Sequence, residues 1–170
     1  MVKVLFVCLG NICRSPVAEG VFKDLVQKHN LEDQISCDSA GTKGWHAGQS
    51  PDQRAIKNAL DNGIVLTHKG REIKTTDFDT FDHIVVMDES NFKDVYELYY
   101  QTKHTTPSAE KLFLLRDYDP KVKGVKDVPD PYYGSALDFE EVFHIVQRSN
   151  TVLLEHLIEK HGLVVNQEEE

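Results

Sequence analysis

Cysteine is scarce in this chain. There are three in 170 residues, Cys8, Cys13 and Cys37, an odd set without the spacing of a disulfide scaffold, so a reduced, cytoplasmic setting is expected. Long apolar runs are missing too, and no segment approaches the roughly 20 residues needed to cross a bilayer. Lys3 and the residues after it imitate a secretion signal, but Asn11 and Arg14 interrupt the run too early, and a first strand is the better assignment. Basic excess is absent: 19 Lys and Arg against 28 Asp and Glu leave a net charge of −9. That balance argues against a nucleic-acid partner and against binding to an anionic membrane. The eight histidines contain no His-Glu-x-x-His or other paired-ligand spacing, so neither a metal nor another cofactor is expected. With no repeat and no low-complexity linker, the length suits one domain over residues 1–162 and a flexible acidic tail over 163–170.

What is present is organised around Val4-Leu5-Phe6-Val7-Cys8-Leu9-Gly10-Asn11-Ile12-Cys13-Arg14-Ser15-Pro16. Val2 to Val7 form a short β-branched and aromatic run, the pattern of a buried parallel strand. Cys8 then falls at the strand's carboxyl end, where open parallel sheets bind ligands. Gly10 and Asn11 tolerate unusual φ/ψ, as a loop that wraps an anion with backbone N–H groups requires. Ser15 at the cap and Pro16 at the first helical position read as a helix start. The helix N-terminus and Arg14 would both favour a thiolate at Cys8, and Arg14 offers a planar fork for the oxygens of a phosphate. The implied chemistry is attack of Cys8 on phosphorus. A buried cysteine that merely packs is the competing reading, and the Cys-x5-Arg spacing alone is weak.

Alternation of apolar patterns continues to the end. Helices are expected over about Ser15 to His29, from Pro51 to Asn62, from Asp88 past Tyr99, and from a cap at Asp138 to about Glu159. Strands are expected at Ile35–Ser39, Asp82–Met87 and Lys111–Leu115, with Asp117 to Pro131 irregular. The fold class predicted is α/β, a doubly wound four-stranded parallel sheet with helices on both faces and the phosphate-binding loop after the first strand. A nucleotide-binding module is disfavoured, since no Gly-x-Gly-x-x-Gly or Gly-Lys-Ser/Thr follows that strand.

The stretch Val-Cys-Leu-Gly-Asn-Ile-Cys-Arg-Ser-Pro from Val7 to Pro16 resembles the signature of the low-molecular-weight protein tyrosine phosphatases. Asp130-Pro131-Tyr132-Tyr133-Gly134 resembles that family's general-acid loop, although Asp-Pro is most often only a turn. The resemblance implies hydrolysis of phosphotyrosine in a protein substrate by Cys8, Arg14 and Asp130, through a phosphocysteine and without a metal. It implies a phosphate-binding loop of Leu9, Gly10, Asn11, Ile12, Cys13, Arg14 and Ser15. It also implies that Asn11, Ser15, Ser39 and His68 support the loop by hydrogen bonds, with an ordinary exposed polar residue as the alternative for His68. A reversible Cys8–Cys13 disulfide would protect the nucleophile, or Cys13 is an inert packed thiol. Trp45, Tyr132 and Tyr133 are the aromatic candidates for the pocket wall.

Met87-Asp88-Glu89-Ser90-Asn91 resembles another family motif, for which chemistry alone suggests no role. Ile12 stands where related protein arginine phosphatases tend to carry Thr, which favours phosphotyrosine. Arsenate reductases on this scaffold need late cysteines, and none follows Cys37. Ser39-Ala40-Gly41-Thr42 with Trp45-His46 resembles the bacterial branch of the family more than the animal one. A phosphate-binding module without turnover is a further alternative, but it would not need both Cys8 and Asp130. A monomer or weak homodimer is expected, with turnover peaking on the acidic side of neutral because Asp130 must start protonated and Cys8 ionised.

Overall fold

The computed structural model describes residues 1–165, so residues 166–170 of the expected acidic tail lie outside it. Strands β1 (Val2–Cys8), β2 (Ile35–Gly41), β3 (His83–Val86) and β4 (Leu112–Leu114) make one parallel sheet in the order β2-β1-β3-β4. The alternation of side chains explains why β1 lies inside. Val4, Phe6 and Cys8 face a core built with helices α1 (Arg14–Lys28), α2 (Gln53–Asp61) and α5 (Ala136–His161). Leu5 and Val7 face the opposite core, with Phe78 and Phe81 at the short helix α3 (Asp77–Thr80) and Val95 of α4 (Glu89–Lys103). Val4 to Val7 are all fully buried, as an apolar run with no polar face must be. Phe6 meets Phe22 of α1 edge-on at 5.4 Å, and burying a ring of that size contributes about 2–3 kcal/mol. The sheet is the expected doubly wound α/β arrangement, with the Cys8 loop at its central carboxyl end.

Several local readings change. Helix α1 begins at Arg14, with Cys13 at its cap, so Ser15 and Pro16 are its second and third residues. The Ser15 hydroxyl is directed at the Cys8 sulfur instead of capping. Pro16 costs no hydrogen bond there, because the first four helical N–H groups have no partner within the helix. Asp138 is likewise inside α5: Ser135 is the cap, and Asp138 accepts from the Ser135 N–H in a capping box. In α2 the cap is Asp52, one residue after Pro51, and its carboxylate accepts from Arg54 N–H. Helix α3 and the 3-10 turn Leu115–Tyr118 were not expected; four residues are too few to show a period.

The chain does not fray immediately after α5. Gly162 ends the helix in the left-handed region, and the Val164 N–H and C=O both bond to the Gln34 side chain at 2.8 Å. Among the described residues, no helix is long and apolar enough to cross a membrane.

Candidate active site

The loop from Leu9 to Cys13 turns between β1 and α1 and is held from outside by its carbonyls. Thr42 N–H donates to Cys8 O, Lys43 N–H to Leu9 O and Asp52 N–H to Ile12 O, at 2.8–3.0 Å. Among the turn and loop hydrogen bonds of the described residues, no N–H from Leu9 to Cys13 has an acceptor. Those donors and the start of α1 therefore suit an anion. Asn11 makes the turn possible by adopting φ 56°, a left-handed conformation that asparagine tolerates better than most residues. Gly41 on β2 lets the loop lie close: a Cβ there would meet Leu9 O and Lys43 O at 2.8 Å.

Beneath the loop, a chain of hydrogen bonds joins Asn11, Ser15, Ser39 and Glu19 to the nucleophile's surroundings. Asn11 Nδ2 donates to Ser15 Oγ at 2.8 Å and to Ser39 Oγ at 3.0 Å. The Ser39 hydroxyl donates to Glu19 Oε1 at 3.1 Å. Ser15 Oγ, which accepts from Asn11, lies 3.0 Å from the buried Cys8 Sγ and 3.5 Å from the Ala40 carbonyl oxygen. Asn11 Oδ1 accepts from His68 Nε2 at 2.7 Å and from Arg71 N–H at 3.0 Å, so all four bonding positions of this amide are used.

His68 is nearly buried and must carry two protons to serve both sides. Its Nδ1 lies 3.1 Å from Glu19 and 3.4 Å from Asp38. Burial pulls its pKa down, but hydrogen bonds to Asp38 and Glu19 overcome this and raise it to about 9. Asp38 moves the other way: burial opposes its charge, yet bonds from His68 and Ser39 and the Arg71 guanidinium hold its carboxyl below the usual range. Glu19, Asp38 and His68 lie close enough together to outline a metal cage, but each already has a partner in this network, with Lys23 on Glu19 and Arg71 on Asp38.

Arg14 is buried at the other side of the loop. Its Nη1 donates to Asp88 Oδ2 at 2.7 Å and to Val128 O at 3.0 Å, while Nη2 lies 3.8 Å from Asp130 Oδ2. Burial works against its charge, but Cys8, Asp88 and Asp130 outweigh it and keep the pKa above the usual arginine value. Asp88 also caps α4, accepting Asn91 N–H at 2.7 Å with its second oxygen. The segment carrying Asp130 is tied down just before it, by Val128 N–H on Met87 O at 2.7 Å.

Cys8, Arg14 and Asp130 line one cleft of about 260 Å³ with Leu9, Gly10, Ile12 and Cys13. Trp45, His46, Tyr132 and Tyr133 complete its wall. Asp130 is half-exposed at the mouth, wetter than the partly apolar place expected of it, and its Oδ1 accepts Tyr132 N–H at 3.1 Å. All three aromatic candidates are exposed, Tyr133 by 97%, Trp45 by 64% and Tyr132, the least, by 41%, so they border the mouth of the cleft and do not form a deep slot. Cys13 is buried, and burial first, then Asp52 and Cys8, push its thiol up to about 12, so it stays protonated at neutral pH.

The expected site residues thus come together, but four of their partners were not foreseen. Asp88, Glu19, Asp38 and Arg71 act through pairings with distant parts of the chain, and only Asp88 had a signal, within Met87 to Asn91.

Comparison with known proteins places this arrangement. The family model for the low molecular weight phosphotyrosine protein phosphatase matches residues 3–163. A low molecular weight phosphotyrosine protein phosphatase of Sus scrofa is 45% identical over 152 residues, covering 89% of this chain and 93% of the relative. One from Streptomyces coelicolor is 42% identical over 153 residues, covering 89% and 91%, so animal and bacterial relatives stand almost equally near. A crystal structure of a protein tyrosine phosphatase from Entamoeba histolytica superposes with a TM-score of 0.85 at 37% identity, over 96% of this chain and all of that one. On the fold, the loop and these matches, the chain belongs to the low molecular weight phosphotyrosine protein phosphatase family.

Proposed function

We propose that this protein hydrolyses phosphotyrosine, and aryl phosphate monoesters generally, through a phosphocysteine formed on Cys8. The observation that carries the reading is the placing of Cys8 Sγ, 3.0 Å from the Ser15 hydroxyl, in the same cleft as Arg14 and Asp130. Cys8 thiolate attacks phosphorus and forms the S–P bond as the P–O bond breaks. Asp130 gives its proton to the departing phenoxide. In the second step water attacks phosphorus and passes a proton to the Asp130 carboxylate; the S–P bond breaks, releasing phosphate and regenerating the thiolate. Arg14 and the N–H groups from Leu9 to Ser15 hold the equatorial oxygens in both steps. Ser15, Asn11, Ser39 and His68 keep the loop open for them.

Trp45 and Tyr132 suit the two sides of an aromatic ring, with Tyr133 at the rim. Ile12 in the cleft supports phosphotyrosine over phosphoarginine. Under peroxide, Cys8 sulfenic acid condensing with the Cys13 thiol would form a disulfide with loss of water and spare Cys8 from further oxidation. Three free thiols support a reduced, cytoplasmic setting. Residues 1–162 form the phosphatase domain, acting as a monomer or weak homodimer on phosphoprotein substrates.

The test is phenyl phosphate hydrolysis with a chelator present, in wild type, Cys8→Ser and Asp130→Ala. Turnover should vanish in Cys8→Ser while phosphate still binds, and kcat/KM should fall about 100-fold or more in Asp130→Ala. Turnover surviving in Cys8→Ser would leave a phosphate-binding module as the better description. Phosphoarginine turned over faster than phosphotyrosine would transfer the reading to an arginine phosphatase.

A further inference from the structure

Arg54 is the second residue of α2, and no step above uses it. Its surroundings are nonetheless specific. Nε and Nη2 both donate to the Asp52 carboxylate, at 3.1 and 3.0 Å, and Nη2 also donates to Tyr132 O at 2.9 Å. One planar nitrogen thus uses each of its two hydrogens on a different stretch of chain. The guanidinium also stands over two rings, 4.7 Å from the centroid of Phe139 at the start of α5 and 5.6 Å from that of Tyr132.

Asp52, which orients Arg54, is itself fastened to the phosphate-binding loop by its N–H on Ile12 O. On the far side, Tyr132 N–H holds Asp130 Oδ1. A continuous path therefore runs from Ile12 through Asp52, Arg54 and Tyr132 to the Asp130 carboxyl. We infer that Arg54 is a positioning residue that sets the Asp130 loop over the phosphate-binding loop, and so governs proton delivery to the leaving oxygen. This rests on the reading of Asp130 as the general acid.

The location of Arg54 makes the inference testable. Its side chain is 44% exposed, and surface ion pairs contribute little to stability, so its removal should leave the fold intact. Misplacing a reacting group by an ångström costs up to about 100-fold in rate. The Asp130 segment keeps its Val128 anchor, so about tenfold is the expected loss.

The experiment compares kcat/KM for phenyl phosphate, whose leaving group needs a proton, with dinitrophenyl phosphate, whose leaving group does not. Arg54→Ala should lose about tenfold on the first and stay within about twofold on the second, with inhibition by inorganic phosphate within about twofold of wild type. In an Asp130→Ala background the same substitution should add nothing, because the acid it positions is gone. Arg54→Lys keeps the charge without the fork and should retain most of the loss. Equal losses on both substrates, additivity with Asp130→Ala, or full rescue by lysine would overturn the role. If Asp130→Ala itself shows no leaving-group dependence, the acid assignment falls and this role with it. If only Arg54→Ala is flat, Asp130 stands and Arg54 does not.

Discussion

Arg14 and Asp88, 74 residues apart, share a 2.7 Å ion pair in which the guanidinium is 4% exposed and the carboxylate 19%. Asp88 uses one oxygen for Arg14 and the other for the first turn of α4, so it sets the fork's direction from a rigid element. The pair also gives a buried cation its counter-charge before any phosphate arrives.

Asp88→Ala should therefore cost about 1–3 kcal/mol of stability without ligand, from a lost helix cap and a broken, mostly buried pair. Saturating phosphate should narrow that deficit, because the anion supplies part of the charge Arg14 has lost. kcat/KM should fall by about tenfold or more as the fork loses its orientation. Thermal unfolding with and without phosphate decides it: identical deficits in both conditions would show that Asp88 does not serve Arg14.

Asn11 combines a backbone requirement with a side-chain one, and two substitutions separate them. Asn11→Gly satisfies φ 56° but deletes the amide that joins Ser15, Ser39, His68 and Arg71. Asn11→Ala deletes the amide and adds left-handed strain. Both should lower kcat by a similar factor, and Ala should be the less stable by about 1 kcal/mol. Denaturant midpoints and initial rates measure the two effects; a glycine variant with wild-type kcat would mean that the amide does not contribute to turnover.

These cases mark what could be read along the chain. The Val4 to Val7 run, Gly10-Asn11 and Cys-x5-Arg are local patterns, and local patterns survive in a linear sequence. The bond of Arg14 to Asp88 exists only once β3 lies beside β1, and that of His68 to Glu19 and Asp38 only once α1, β2 and the loop around residue 68 are side by side. Asp88 is legible as part of a helix start, where it proves to be the cap; nothing local shows its other oxygen facing a guanidinium. Ser15 was misread for a related reason. A serine before a proline fits a cap by propensity, but here its hydroxyl is committed to Cys8 and Asn11. The expectation for Asn11, Ser15, Ser39 and His68 as one group came from family resemblance, and the geometry adds the partners Glu19, Asp38 and Arg71.

The pH dependence of stability should carry the signature of His68. Its folded-state pKa is raised to about 9 from an ordinary 6.5, so its charge stabilises the fold fully below about 6.5 and that contribution is lost as pH rises through about 9. At about 1.4 kcal/mol per pH unit the amount is on the order of 3 kcal/mol. Asp38, held below its ordinary range, contributes above about 4 and is lost as pH falls further. Urea unfolding of wild type between neutral pH and about 10 should show the midpoint falling, and His68→Gln should flatten that slope. An unchanged slope in the variant would assign the alkaline loss to another group.

Cys8 and Cys13 lie on the same loop and should differ in reactivity for physical reasons. Cys8 Sγ lies beside the Ser15 hydroxyl and the Arg14 charge, whereas the Cys13 thiol, buried near Asp52, is held at about 12. Only the thiolate alkylates readily, so iodoacetate at near-neutral pH should modify Cys8 first and leave Cys13 protonated. Inorganic phosphate should protect Cys8, because it occupies the cleft that iodoacetate must enter. Peptide mapping by mass spectrometry measures both rates. Carboxymethylation of Cys13 ahead of Cys8, or indifference to phosphate, would mean that the loop does not favour anionic sulfur at Cys8, and the nucleophile would have to be sought elsewhere.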